Sequence, residues 1–188
     1  DDEPGQALVL GQVRIGADGP SVSVLCLGTM TFGNQTPEPE AHRQIDMAAA
    51  QGVNFMDTAE MYPVNPVKVE TVGRTEEIIG NWFRNGGRRD DWIIATKIAG
   101  QGGQARQGEP INGASIRRAL EASLRRLGTD HVELYQFHWP NRGSYMFRQN
   151  WSFDPSRQDR GAILANIAEC LEVIAALKAE GRIGHWGL

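Results

Sequence analysis

The chain has 188 residues, 40% of them hydrophobic and 22% charged, a composition that fits one globular domain and excludes a disordered or fibrous chain. Its formal net charge of -4 argues against nucleic acid as a main partner. No apolar run reaches the roughly 18 residues of a transmembrane helix, and the acidic start Asp1-Asp2-Glu3-Pro4 lacks the apolar core of a secretory signal, so no membrane partner is expected.

Residues 1–7 are expected to be disordered. Two short apolar stretches within 7–24 flank Gly16-Ala17-Asp18-Gly19-Pro20 and predict a β-hairpin ahead of the main fold. Leu25-Cys26-Leu27-Gly28-Thr29 predicts a short buried strand, and residues 39–51 a helix that Gly52 stops. Val53 to Asp57 is the next strand. Thr75 is expected to cap a helix to about Asn85, with Glu76 and Glu77 placed to favour its dipole. Trp92 to Lys97 predicts a third strand, and the Gly- and Gln-rich stretch 98–113 a mobile loop.

Ile116, Leu120, Leu124 and Leu127 form the apolar stripe of a helix over 115–127, with Arg117, Arg118, Arg125 and Arg126 on its solvated faces. Val132 to His138 is a fourth strand, followed by a long loop over 139–160. A fourth helix over 161–180 has Leu164, Ile167, Leu171 and Ile174 as its expected stripe, and a fifth strand starts at His185. Cys26 and Cys170 both sit in apolar surroundings, so buried free thiols and a reducing, cytoplasmic setting are expected. No cluster of metal-ligating residues suggests a metal site.

Strand–helix alternation with short strands indicates parallel β/α units. A doubly wound nucleotide-binding sheet usually opens with G-x-G-x-x-G after its first strand. Here Gly28-Thr29-Met30-Thr31-Phe32-Gly33 lacks that spacing, which favours a β/α barrel. Barrel active sites form at the C-terminal rim of the strands. Thr29, Asp57, Lys97 and His138 end four successive strands there, and Tyr62 follows Asp57 by five residues. A phenol beside an ammonium is a plausible acid, because the ammonium favours phenolate and lowers a pKa that is ordinarily about 10. Aspartate would hold the lysine charged, and histidine could bond a substrate oxygen.

Asp57-Thr58-Ala59-x-x-Tyr62, then Lys97, then His138 resembles the catalytic tetrad pattern of the aldo-keto reductases. Leu27 to Gly33, Leu134 to Pro140 and Arg182 to Leu188 resemble that family's first, fourth and fifth strand segments. The likeness is greatest to the Tas-type bacterial members, and runs from about residue 8 to 188. It implies an α/β fold, a (β/α)8 TIM barrel with an N-terminal hairpin below it, here covering about five strands and four helices within one partial domain, 1–188. The resemblance further implies an oxidoreductase that passes a hydride from NADPH to a small-molecule aldehyde or ketone. Tyr62 would donate the proton, Lys97 lower its pKa, Asp57 support Lys97, and His138 orient the carbonyl. Gly28, Thr29, Met30 and Asp57 would lie near the NADPH or NADP+, and Tyr62, His138 and Trp139 near the substrate. The family continues past this point with Ser-Asn and the segments that clamp the cofactor, so the 188 residues alone are expected to turn over weakly or not at all. A non-catalytic NADP(H)-sensing or regulatory subunit on the same fold is the alternative. Oligomeric state is not readable.

Overall fold

The computed structural model describes residues 10–141 and 150–188; the disorder expected for 1–7 and part of the 139–160 loop lie outside the described residues. An antiparallel hairpin, β1 (Gln12–Arg14) and β2 (Ser21–Ser23), opens the described chain. Five strands follow in one parallel sheet: β3 (Leu27–Gly28), β4 (Phe55–Asp57), β5 (Ile93–Ile98), β6 (Val132–Phe137) and β7 (Ile183–Gly187). Their spatial order is their chain order. Four helices connect them: α1 (Glu38–Ala50), α2 (Arg74–Arg84), α3 (Gly113–Leu127) and α4 (Arg160–Ala179). Sequential parallel order is that of a barrel wall, whereas a doubly wound sheet reverses direction at a switch point. β3 and β7 do not pair, so the described sheet is open.

Side chains alternate across each strand, so the register sorts them into two faces. Met56, Ile94, Thr96, Ile98 and Tyr135 face the helices, and all but Thr96 join Ile45, Ile78, Ile116 and Leu120 in one buried cluster. Asp57, Ala95, Lys97, Leu134, Gln136 and His185 share the opposite face. The hairpin is tied in at the start of β4, where Asn54 Oδ1 accepts from the Ser23 N–H at 2.7 Å. It therefore lies at the end of the sheet away from the strand C-termini.

The stripe expected on α3 is buried throughout. That on α4 is buried only at Ile174: Leu164, Ile167 and Leu171 are exposed, and Cys170 and Leu177 are buried in their place. Apolar residues surround this helix, so periodicity leaves its facing open and packing against α3 selects the face. Cys26, Val24 and Leu25 are exposed rather than buried, because β3 pairs with β4 alone and its outer edge is uncovered. Thr75 does not cap α2. Gly73 occupies that position, and the Thr75 hydroxyl donates to the Phe32 carbonyl at 2.7 Å.

Arg126 departs from the solvated face expected of it, and pairs with Glu76 of the first turn of α2. Glu76 is fully buried, accepting from Thr96 Oγ1 at 2.6 Å and Arg126 Nε at 2.7 Å. Close approach of α2 to α3 makes the pair possible, and Gly80 permits that approach, since a Cβ there would lie 2.1 Å from the Arg126 carbonyl oxygen. Removing one partner of a buried pair strands the other charge. Arg126→Met is therefore expected to destabilise the fold by about 3 kcal/mol, read as a lower urea midpoint, and Glu76→Gln in the same chain should recover part of the loss.

Candidate active site at the strand C-termini

Asp57 ends β4, Lys97 is the penultimate residue of β5, and His138 directly follows β6. Parallel register brings these three chain-distant positions to one rim. Lys97 is nearly buried, and its Nζ donates to Asp57 Oδ2 at 2.7 Å and to the Thr58 carbonyl at 2.8 Å. A buried ammonium needs such acceptors to offset lost hydration. Asp57 is itself positioned by Thr29, whose backbone N–H and hydroxyl both donate to the Asp57 carbonyl, at 3.1 and 2.8 Å.

Tyr62 reaches the rim from the loop after β4. Its carbonyl accepts from the Gly73 and Thr75 N–H groups at 3.1 and 3.4 Å, so the first turn of α2 spends otherwise unpaired donors on holding this residue. The Tyr62 ring is buried, with Lys97 Nζ 5.0 Å from its centroid and the His138 ring 5.7 Å away, edge to face. Burial first, and then the Asp57 charge, push the phenol up to about 12. This corrects the expectation that Lys97 lowers it: the ammonium is engaged by Asp57, and desolvation of a phenolate outweighs its pull. The phenol is consequently protonated at neutral pH. Burial and the Lys97 charge lower His138 to about 4, so its imidazole is neutral there. Its Nδ1 is buried without a hydrogen-bond partner among the described residues, as is Gln136 Oε1.

A cavity of about 550 Å³ opens beside Tyr62 and His138, walled by Met30, Met61, Val64, Pro66, Val67, Gln101–Gln104 and Trp139. Met30 and Trp139 thus stand where a ligand of this cavity would meet them. Gly28 is exposed with open space where a Cβ would be, and Asp57 is partly exposed. Thr29 is different. It is fully buried and its hydroxyl donates to the Asp57 carbonyl, so it supports that residue. The wall residues 64–67 and 101–104 were not legible as site residues, because loop composition carries no signal of which cavity a loop faces. A cleft of about 600 Å³ near His42, Asp46 and Trp82 touches none of the four rim residues.

Below about pH 6.5 the unfolded chain protonates this imidazole, whereas the folded chain resists protonation down to about 4. The unfolded state then holds more protons, so stability falls as pH drops through that window. Urea midpoints taken at about pH 5 and about pH 7 should differ less in His138→Gln than in the parent chain.

Comparison with known proteins places this geometry in context. The Aldo/keto reductase family model matches residues 24–188. Protein tas of Escherichia coli is 41% identical over 180 residues, covering 93% of this chain and 50% of that protein. A probable voltage-gated potassium channel subunit beta of Arabidopsis thaliana is 34% identical over 152 residues, covering 74% of this chain and 44% of its own length. Among solved structures, an aldo-keto reductase of Bacillus halodurans in its holo form superposes with a TM-score of 0.68 at 30% identity, over 95% of this chain and 49% of that one. The chain spans about half the length of these relatives.

Proposed function

The chain belongs to the aldo/keto reductase family, and from that premise we propose that it supplies the proton-transfer side of a site reducing an aldehyde or ketone with NADPH, Tyr62 being the general acid. On this reading the five strands are part of a (β/α)8 barrel wall, and the small-molecule carbonyl occupies the cavity beside Tyr62. The observation that carries the proposal is the protonated Tyr62 phenol held between Lys97 and His138 at the mouth of that cavity.

When bound, NADPH supplies the hydride that adds to the carbonyl carbon. The exposed Gly28 backbone, Met30 and the free edge of the Asp57 carboxylate are the described surfaces that would meet it. The chain's own contribution is to the oxygen. An alkoxide is a stronger base than phenolate even at a phenol pKa of about 12, so transfer of the Tyr62 proton to the developing oxyanion runs downhill. The phenolate left behind lies beside the Lys97 ammonium, 5.0 Å from the ring centroid. His138, neutral at working pH, orients the carbonyl by a hydrogen bond and does not compete for the proton. Trp139 and Met61 provide apolar wall that excludes water and strengthens these interactions. The two free cysteines fit a reducing, cytoplasmic setting.

A second reading is favoured by the likeness to the plant channel subunit beta: a cofactor-binding protein that senses NADP(H) without turnover. The two readings part on one assay, NADPH oxidation by the intact protein with a panel of small aldehydes. Turnover that Tyr62→Phe lowers by about 10²–10⁴-fold, with NADPH binding kept, is the expected result. Tight NADPH binding with no turnover across the panel would establish the sensing role instead.

A further inference from the structure

Glu60 lies between Asp57 and Tyr62 in the chain and is only 3% exposed. A carboxylate at that depth needs partners. It accepts from the Ala99 N–H at 2.6 Å, and Arg106 Nε lies 3.1 and 3.3 Å from its two oxygens. The remaining guanidinium nitrogens donate to the Ala99 carbonyl and to the Glu109 carbonyl. One side chain thereby ties three segments: the Tyr62 loop, the end of the Lys97 strand, and the turn at 105–109. A backbone bond from the Glu60 N–H to the Lys97 carbonyl, at 3.1 Å, runs alongside.

The chain between the two tied points is the cavity wall. Gln101–Gln104 run from Ala99 to Arg106 and face Tyr62 and His138 across the cavity. Trp139 anchors the near end, donating from Nε1 to the Gln101 carbonyl at 3.2 Å and packing so closely on Gly100 that a Cβ there would lie 2.3 Å from the Trp139 carbonyl oxygen. Arg106 anchors the far end. It and Gln107 hold φ of 51° and 56°, a left-handed conformation that L residues keep only when surrounding bonds impose it.

We propose that Arg106, acting through Glu60, is a positioning residue for carbonyl reduction: it sets the distance between the wall at 101–104 and the Tyr62 phenol, and so the fit of the substrate. This rests on the reading of the site as a carbonyl reductase. Arg106 touches neither Tyr62 nor the cavity in this arrangement. Its effect passes through the buried carboxylate and the closed loop, so it should govern substrate capture more than cofactor capture.

The test uses the intact protein with NADPH and benzaldehyde. Arg106→Met is expected to raise KM for benzaldehyde about tenfold and to speed amide hydrogen exchange over 99–108 about tenfold, with the Kd for NADPH unchanged. Arg106→Lys, which keeps the charge, should recover part of both effects. Because Arg106→Met strands the Glu60 carboxylate, Glu60→Gln/Arg106→Met is measured beside it: both charges leave together, and the amide oxygen can still accept from Ala99. Parental KM in the double variant, or faster exchange with unchanged KM, would make the pair structural only and overturn the proposal. Absence of turnover by the parent protein overturns the reductase reading itself, and the positioning role with it; turnover with an unaltered Arg106→Met overturns the positioning role alone.

Discussion

The site depends on the pairing of a lysine with an aspartate at the ends of two adjacent strands. Lys97 Nζ has given up most of its water, and the Asp57 carboxylate and the Thr58 carbonyl replace it at 2.7 and 2.8 Å. Such a pair is stable only if its geometry is good enough to offset desolvation of both ions. Here the geometry is delivered by parallel pairing of β4 with β5, which sets the Asp57 and Lys97 side chains on one face of the sheet. The Thr29 hydroxyl, bonded to the Asp57 carbonyl, extends the same constraint to β3. A change in register of one residue would turn both ions toward the helices, where the sheet is packed with Ile94 and Met56.

Much of the surrounding scaffold serves to hold polar groups that a plain apolar core would not need. Glu76 and Arg126 join α2 to α3 and to Thr96 on the helix side of β5, the strand that carries Lys97 on its other face. The first turn of α2 grips the Tyr62 carbonyl, so the loop that bears the phenol inherits the rigidity of a helix packed in the core. Glu60 and Arg106 fasten that loop to the end of β5. The rim is therefore braced from three directions, and burial acts on the rim itself: it raises the Tyr62 phenol and lowers the His138 imidazole.

Several features were legible because they rest on local chemistry. The α3 stripe of Ile116, Leu120, Leu124 and Leu127 is buried as its spacing predicts, and Gly128 ends that helix with φ of 68°. Asp57, Lys97 and His138 stand at the ends of successive strands and Tyr62 in the loop after the first of these, and the structure brings the four together. Where several local solutions were equally good, the sequence was silent or misleading. On α4 the exposed Leu164, Ile167 and Leu171 are as apolar as the buried Cys170, Ile174 and Leu177. Thr75 has the chemistry of a cap, yet its hydroxyl finds Phe32, a residue far away in the chain.

By itself, then, the sequence determined the order of strands and helices, their parallel pairing, and the places of Asp57, Lys97 and His138 at the strand ends, because strand and helix periods and strand-end positions are properties of short segments. Tertiary structure alone decided the rest. It settled that Arg126 is half-buried and paired with the buried Glu76, that Thr29 braces Asp57, that residues 101–104 wall the cavity, and that burial pushes the Tyr62 phenol up. Each of these depends on distance and desolvation between groups far apart in the chain, and neither quantity exists until the chain has folded.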